Sequence, residues 1–317
     1  MASMFGQRPG GLEAILQRPR PSIWQQFRRN PYVFLSRVVY ERWLRSATPA
    51  QPLSDAISVV CVSDTHNSQP ALPNGDILIH AGDLTQSGSF GETQAALDWL
   101  KSQPHRHKIV IAGNHDLLLD PSLDDGPRSS NNKDVGLQRA QLEWGDLTYL
   151  QDATTELQCT NGRRIRIYGS PWSCQHGNWA FQYPRSEGKS QWSNAIPNNT
   201  DILVTHGPPR AHLDILRLGC TGLLSELWRV QPALHIFGHV HEGYGKEWVN
   251  FDCVQEAYER VVIADGGMWD FLRLFGLFLC LCCRLRPLRE SKCLLVNACA
   301  VGGLRDEKRR EPIKVLI

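Results

Sequence analysis

Five short runs constrain this chain most: ISVVCVS (57–63), DILIHAG (76–82), KIVIAG (108–113), DILVTHG (201–207) and ALHIFG (233–238). Each is rich in aliphatic and β-branched residues, too short for a helix, and continuous in apolar character, which is the pattern of a strand covered on both faces. Segments with helical spacing separate them, with Ala95, Ala96, Trp99 and Leu100 inside 90–103 and Leu223, Leu224, Leu227 and Trp228 further on. Residues 154–160 and 164–168 flank Asn161-Gly162, a two-residue hairpin signal. Parallel pairing through helical crossovers therefore coexists with local antiparallel pairing, and mixed sheets are expected. The 317 residues suffice for one large domain or two modest ones with a sizeable core.

Each run stops on polar residues of one chemical kind. Val62-Ser63 leads to Asp64-Thr65-His66, His80-Ala81 to Gly82-Asp83, Ala112 to Gly113-Asn114-His115-Asp116, Val204-Thr205 to His206-Gly207, and Phe237 to Gly238-His239-Val240-His241. One histidine after a strand is most simply a hydrogen-bonded residue at a sheet edge. Five such endings lose that explanation. Strands joined by helical crossovers bring their carboxyl ends to a common crevice, and polar groups buried there unpaired cost about 1–3 kcal/mol each. A divalent metal removes the conflict. Oxygen and nitrogen donors without thiolate suit Mn, Fe or Zn. Gly82, Gly113, Gly207 and Gly238 let the backbone turn sharply beside such ions.

In this order the five blocks resemble those of the calcineurin-like metallophosphoesterases, over about residues 57–241. SPW (170–172), WAFQYPR (179–185) and VTHGPP (204–209) further resemble the subgroup called metallophosphoesterase-domain-containing proteins. The resemblance implies an α+β fold, an α/β/β/α sandwich of two mixed β-sheets packed face to face, with helices outside and the metal site at the carboxyl ends of the strands. It implies two divalent or trivalent metal ions: one on Asp64, His66 and His241, the other on Asn114, His206 and His239, with Asp83 bridging. His115 would face the substrate and Asp116 would hold its imidazole. The activity implied is hydrolysis of a phosphate ester, foremost a phosphodiester such as a cyclic nucleotide, with a phosphomonoester as the other class. A hydroxide activated between two metals roughly 3.5–4 Å apart would attack phosphorus in line, without a phosphoenzyme, while His115 protonates the departing oxygen.

Other features leave alternatives open. Trp172, His176 and Arg185 belong to an aromatic loop that could stack a base and pair with phosphate, or could simply pack as support. His105 and His107 read as solvated, and His80 and His235 as hydrogen-bonded structural histidines; His212 also falls outside the ligand pattern. Thirty-four Lys plus Arg against thirty-two Asp plus Glu leave a net charge of +2, too balanced for the global field of a nucleic-acid binder. Ten cysteines without a CxxC pair read as thiols in a reducing compartment. A cytoplasmic protein is expected, with peripheral membrane contact as a further reading.

Residues 1–53 form a basic extension with eight Arg and no Lys, its first twenty residues reading as disordered. A helix over 31–46 starts at Asn30-Pro31, with Tyr32, Phe34, Leu35, Val38, Val39, Trp43 and Leu44 as its apolar face and Ser36, Arg37, Glu41 and Arg45 opposite. The metallophosphoesterase domain is expected over 54–317. Its apolar, cysteine-bearing segment 268–286 is too short to span a bilayer, which takes ~20 residues. Both segments either dock on the domain or lie on a membrane surface, where Cys280, Cys282 and Cys283 would suit S-acylation. The competing function is a weakly active or inactive scaffold acting in protein or membrane association.

Overall fold

Residues 22–46, 55–123, 136, 138–215, 217–283, 291–303 and 307–317 are described by the structure, a computed structural model. The expected disorder of the first twenty residues falls outside them. Strands β1 (Ser58–Val62), β2 (Ile77–Ala81), β3 (His107–Ile111) and β4 (Thr148–Tyr149) run parallel in that order, and β15 (Ile313–Leu316) closes the β1 edge antiparallel. A second sheet begins with the hairpin of β5 (Ala153–Gln158) and β6 (Arg164–Ser170). Parallel to β6 follow β9 (Ile202–Thr205), β10 (Leu234–Phe237) and β12 (Lys292–Asn297), with β11 (Gly245–Asn250) antiparallel at the far edge. Short pairs join β7 (Ser173–Cys174) to β8 (Gln182–Tyr183) and β13 (Val301–Gly302) to β14 (Lys308–Arg309). The α-helices are α1 (Ile23–Arg29), α2 (Pro31–Ser46), α3 (Phe90–Lys101), α4 (Gly188–Trp192), α5 (Thr221–Val230), α6 (Cys253–Ala264) and α7 (Met268–Cys282).

Strand alternation sorts the apolar residues into layers. Val59, Cys61, Ile77, Ile79, Ile109 and Ile111 of the first sheet share a core with Ile167, Ile202, Val204, Leu234 and Ile236 of the second. The intervening Val60, Val62, Leu78 and Val110 pack under α3 through Ala96, Leu97 and Leu100, whose start is a capping box between Ser89 and Glu92. Leu203, Phe237 and Leu295 pack under α5 through Leu223, Leu224 and Leu227. The result is the expected layering, two mixed sheets between outer helices. Continuous apolar strands are required because both faces of both sheets are covered.

Helix α2 is capped by Asn30, whose Oδ1 accepts from Val33 N at 3.1 Å. Tyr40 and Trp43 pack with Val254, Ala257, Tyr258 and Leu274 of α6 and α7. Tyr40 stacks on Tyr258 at 3.9 Å and donates its hydroxyl to Gln255 Oε1 at 2.6 Å. The docked face is rotated from the expected one: Ser36 is fully buried, while Val38 is 49% exposed. The small Ser36 permits close approach, and two large aromatics on its line bury more area than Val38 offers. Helix α7 buries Leu274 and Leu281 but leaves Trp269, Leu272, Phe275 and Leu279 exposed. No helix among the described residues is long and apolar enough to cross a membrane.

Candidate metal centre

The loops after β1, β2, β3, β9 and β10 meet at one end of the sandwich. Asp64, His66, Asp83 and His239 all take left-handed backbone, with φ of 50°, 42°, 53° and 65°, at a cost on the order of 1–3 kcal/mol each. Hydrogen bonds between the loops hold them there. Asp64 N donates to Gly82 O at 2.9 Å, and Thr65 N and His66 N donate to Asp83 O at 3.0 and 3.2 Å. His239 N donates to both carboxylate oxygens of Asp64 at 3.0 Å. Close approach requires glycine at Gly82, φ 93°, where a Cβ would stand 2.6 Å from both Ala112 O and His206 Nδ1.

Backbone carbonyls determine the tautomers. His206 Nδ1 lies 3.0 Å from Ala81 O, which can only accept, so Nδ1 keeps its proton and Nε2 is the nitrogen that carries either a second proton or a lone pair. That Nε2 is 3.0 Å from Asn114 Oδ1 and 3.3 Å from Asp83 Oδ2. Nε2 thus meets two oxygen acceptors, and once its own proton is displaced the three lone pairs form an arrangement that fits a cation. His66 repeats the device: Nδ1 faces Thr85 O at 3.2 Å, leaving Nε2 3.4 Å from His241 Nε2 and 3.8 Å from Asp83 Oδ2. His241 Nε2 in turn stands 3.2 Å from Asp64 Oδ1. Ligand atoms of Asp64, His66 and His241 lie within 4.8 Å of one another, as do those of Asp83, His206 and His239. Asp83 accepts from His115 N at Oδ1, 2.8 Å away, and keeps Oδ2 between the two groups.

Charge pairing within the cluster does part of a cation's work. Burial alone would lower His206, yet the charge of Asp83 raises it to about 9. Burial alone would raise Asp83, but the charge and hydrogen bond of His206 hold its carboxyl well below the usual range. Asp64 is likewise held low against burial, by the hydrogen bond from His241 and the charge of His206. Burial pushes His239 down to about 3, leaving it neutral and able to ligate.

His115 turns Nδ1 to Gln86 O at 2.8 Å and so presents Nε2 to the cluster, where it groups with His66 and Asp83. Its ring stacks on Trp179 at 4.3 Å and meets His66 edge-on at 4.6 Å. The expected pairing of Asp116 with this imidazole is absent from the geometry. Asp116 is fully buried and accepts from Gly113 N at 2.8 Å, Leu84 N at 3.2 Å, Thr85 N at 3.0 Å and Thr85 Oγ1 at 2.8 Å. A buried carboxylate needs several donors, and two loops supply four where one imidazole would supply one. Burial, then the charge of Asp83, raise its carboxyl to about 6. Asp116 therefore joins the loops that carry Asp83 and Asn114. Gln86 acts through a backbone carbonyl, which no residue-type pattern signals.

The aromatic loop covers this cluster unevenly. His176 stands 4.7 Å from His239, its Nδ1 2.7 Å from Gln182 Nε2. Trp172 is half-buried, lines a small cavity beside His239, and donates its indole N–H to Asp152 Oδ2 at 2.8 Å. Arg185 does not aim at a phosphate position: its guanidinium donates to Gly219 O at 2.7 Å and Leu218 O at 2.8 Å, two successive carbonyls matched to its planar fork. The residue over His115 is Trp179, 37% exposed.

Histidines outside the cluster are structural. His80 and His235 pair Nε2 with Thr65 Oγ1 at 3.0 Å and Thr205 Oγ1 at 2.8 Å, bracing residues beside the candidate ligands, and burial drops both to about 3. His105, expected to be solvated, is buried with Nε2 3.0 Å from Pro73 O, where two loops meet and the backbone carbonyl needs a donor. His212 sits fully buried between Glu247 and Glu259, 3.0 Å from each.

A family model described as calcineurin-like phosphoesterase matches residues 57–243. Metallophosphoesterase domain-containing protein 1 of Homo sapiens is 42% identical over 203 residues, 59% of this chain and 61% of that protein. A protein of Emericella nidulans named probable rhamnogalacturonate lyase C is 44% identical over 310 residues, 96% of this chain but 28% of that protein. This chain thus spans less than two thirds of either relative's length. Among solved structures, TT1561 of Thermus thermophilus aligns with a TM-score of 0.40 at 13% identity, covering 61% of this chain and 84% of that one.

Proposed function

Because this chain belongs to the calcineurin-like phosphoesterase family, we propose that it is a metal-dependent phosphodiesterase whose centre is held by Asp64, His66 and His241 on one side and Asn114, His206 and His239 on the other, with Asp83 between. The observation that carries this reading is the meeting of His206 Nε2, Asn114 Oδ1 and Asp83 Oδ2. Two metal ions, of Mn, Fe or Zn type by donor chemistry, would supply Lewis-acid charge for the phosphate oxygens and lower the pKa of water. His115 serves as general acid in its doubly protonated form: Gln86 O holds the Nδ1 proton and Trp179 the ring plane, so the Nε2 proton is the one offered to the departing oxygen. His176, 4.7 Å from His239, would contact the substrate.

Metal analysis of the full-length protein, paired with assays on monoesters, linear diesters and cyclic nucleotides, tests the reading; rhamnogalacturonate serves as a control for the activity named in the fungal relative. Two ions per chain and fastest turnover of diesters are expected. No bound metal, and no activity after Mn, Fe or Zn is supplied, would leave the scaffold reading. His115→Ala should cost about 100- to 10,000-fold on alkyl diesters, as loss of a general acid does, and far less on nitrophenyl diesters, whose leaving group needs no proton. Equal losses on both would remove His115 from that role.

A second reading concerns the outer helices. The exposed Trp269, Leu272, Phe275 and Leu279 of α7, with exposed Cys282 and Cys283, support peripheral attachment to a membrane of an otherwise cytoplasmic protein. Residues 1–53 would then be an appendage to a catalytic domain over 54–317. Co-sedimentation with anionic lipid vesicles tests this, and a chain left wholly in the supernatant would sink it.

A further inference from the structure

We propose that Cys299 is a positioning residue of the metal centre: its thiol donates to Oδ2 of Asp64 and so leaves Oδ1 as the oxygen offered to the cation shared with His66 and His241. The proposal rests on the metal-centre reading. Cys299 Sγ lies 3.1 Å from Asp64 Oδ2, and both residues are wholly buried. The thiol is the donor, because a carboxylate has no proton to give, and a charged acceptor strengthens a weak S–H bond. Asp64 Oδ1 faces the other way, toward His241 Nε2 at 3.2 Å. Oδ2 fills the space that a side chain at Gly238 would need: a Cβ there would lie 2.0 Å from it.

The chain takes some trouble to deliver this thiol. After β12, which belongs to the second sheet, the backbone crosses to the end of β1 in the first: Ser63 N donates to Ala298 O at 2.9 Å, and Ala300 N to Ser63 O at 2.7 Å, with Cys299 bridged to Ser63. Asn297 just before it donates to Val240 O at 3.0 Å and Leu213 O at 3.2 Å, holding the turn that carries His239 and His241. Arg310 adds a contact to His241 O and lies 3.5 Å from Glu242 Oε1. The segment 297–310 lies beyond the residues 57–243 that the family model matches, so this support comes from a part of the chain that the family blocks leave out.

Loss of a hydrogen-bonded partner behind a metal ligand costs about 10- to 100-fold in metal affinity. The test is calorimetric titration of Mn(II) and Zn(II) into metal-stripped full-length protein, comparing wild type with Cys299→Ser, Cys299→Ala and Cys299→Val. Serine keeps a donor; alanine and valine remove it while changing the volume in different ways. Expected are near-wild-type binding for Cys299→Ser and a 10- to 100-fold weaker site in whichever of the other two folds by circular dichroism. Metal binding by a folded Cys299→Ala or Cys299→Val variant as tight as wild type overturns the role of Cys299, as does equal weakening in the serine variant. A wild type that takes up neither metal overturns the underlying reading, and the proposal with it.

Discussion

Gly238 shows how little freedom individual positions have in this centre. Its missing side chain is the space occupied by Asp64 Oδ2, 2.0 Å from an ideal Cβ, and by Ser63 Oγ at 2.1 Å. Neither neighbour can retreat, since Asp64 is held by His239 N and Ser63 Oγ donates to Ala81 O at 3.0 Å. Gly238→Ala should therefore destabilise the fold by about 1–3 kcal/mol through overpacking and release metal, both readable from urea titrations with and without metal. Gly276 in α7 meets nothing within 4 Å, so Gly276→Ala should stabilise by about 0.5–1 kcal/mol through helix propensity. Matching effects at the two sites would contradict the packing account. Asn114, His206, His239 and the other candidate ligands were legible as residue types because metal chemistry demands them. Gln86 was not, because it works through its backbone; Asp116 was legible as a residue but not in its partners, since it answers to donors from two loops that only folding brings together.

At the scale of elements, α2 illustrates a face chosen by its partner. Its sequence carries apolar residues around much of its circumference, so spacing alone favoured a broad face of Tyr32, Phe34, Leu35, Val38, Val39, Trp43 and Leu44, of which Val39 and Trp43 join the docked cluster. The face in contact runs through Ser36, Tyr40 and Trp43, because α6 offers Tyr258 for stacking and Gln255 for the Tyr40 hydroxyl. Tyr40→Phe should leave Gln255 Oε1 without that donor and cost about 1–3 kcal/mol in chemical denaturation. Val38→Ala, at a half-exposed position, should stay within about 0.5 kcal/mol. The opposite order would restore Val38 to the docked face. Strands were far more legible than this helix, since a run covered on both faces needs no choice of face.

Across the whole molecule, one buried ionic group ties the outer helices to the second sheet. His212 lies between Glu247 of β11 and Glu259 of α6, with Gln255 Nε2 at 3.0 Å and the rings of Tyr40 and Tyr258 beside it. Burial alone would lower its pKa, but the two carboxylates raise it to about 10. A folded-state pKa above the ordinary 6.5 means that the folded chain holds a proton that the unfolded chain has lost. Stability from this group is complete below pH 6.5 and is lost as pH rises toward 10, at up to about 1.4 kcal/mol per pH unit. The stability difference between wild type and His212→Gln should therefore shrink across that interval in urea titrations. A difference independent of pH would show that His212 is neutral when folded.

By itself the sequence determined the strands, their mixed pairing and the residue types of a metal-binding crevice, because each is local: apolar continuity makes a doubly covered strand, and polar residues at its end cannot enter the core. The tertiary structure decided which atoms face one another. Left-handed backbone at four of the candidate ligands, the carbonyls that set the histidine tautomers, the rotation of α2 and the reach of Cys299 to Asp64 all depend on contacts between segments distant in the chain, and no local pattern encodes such contacts.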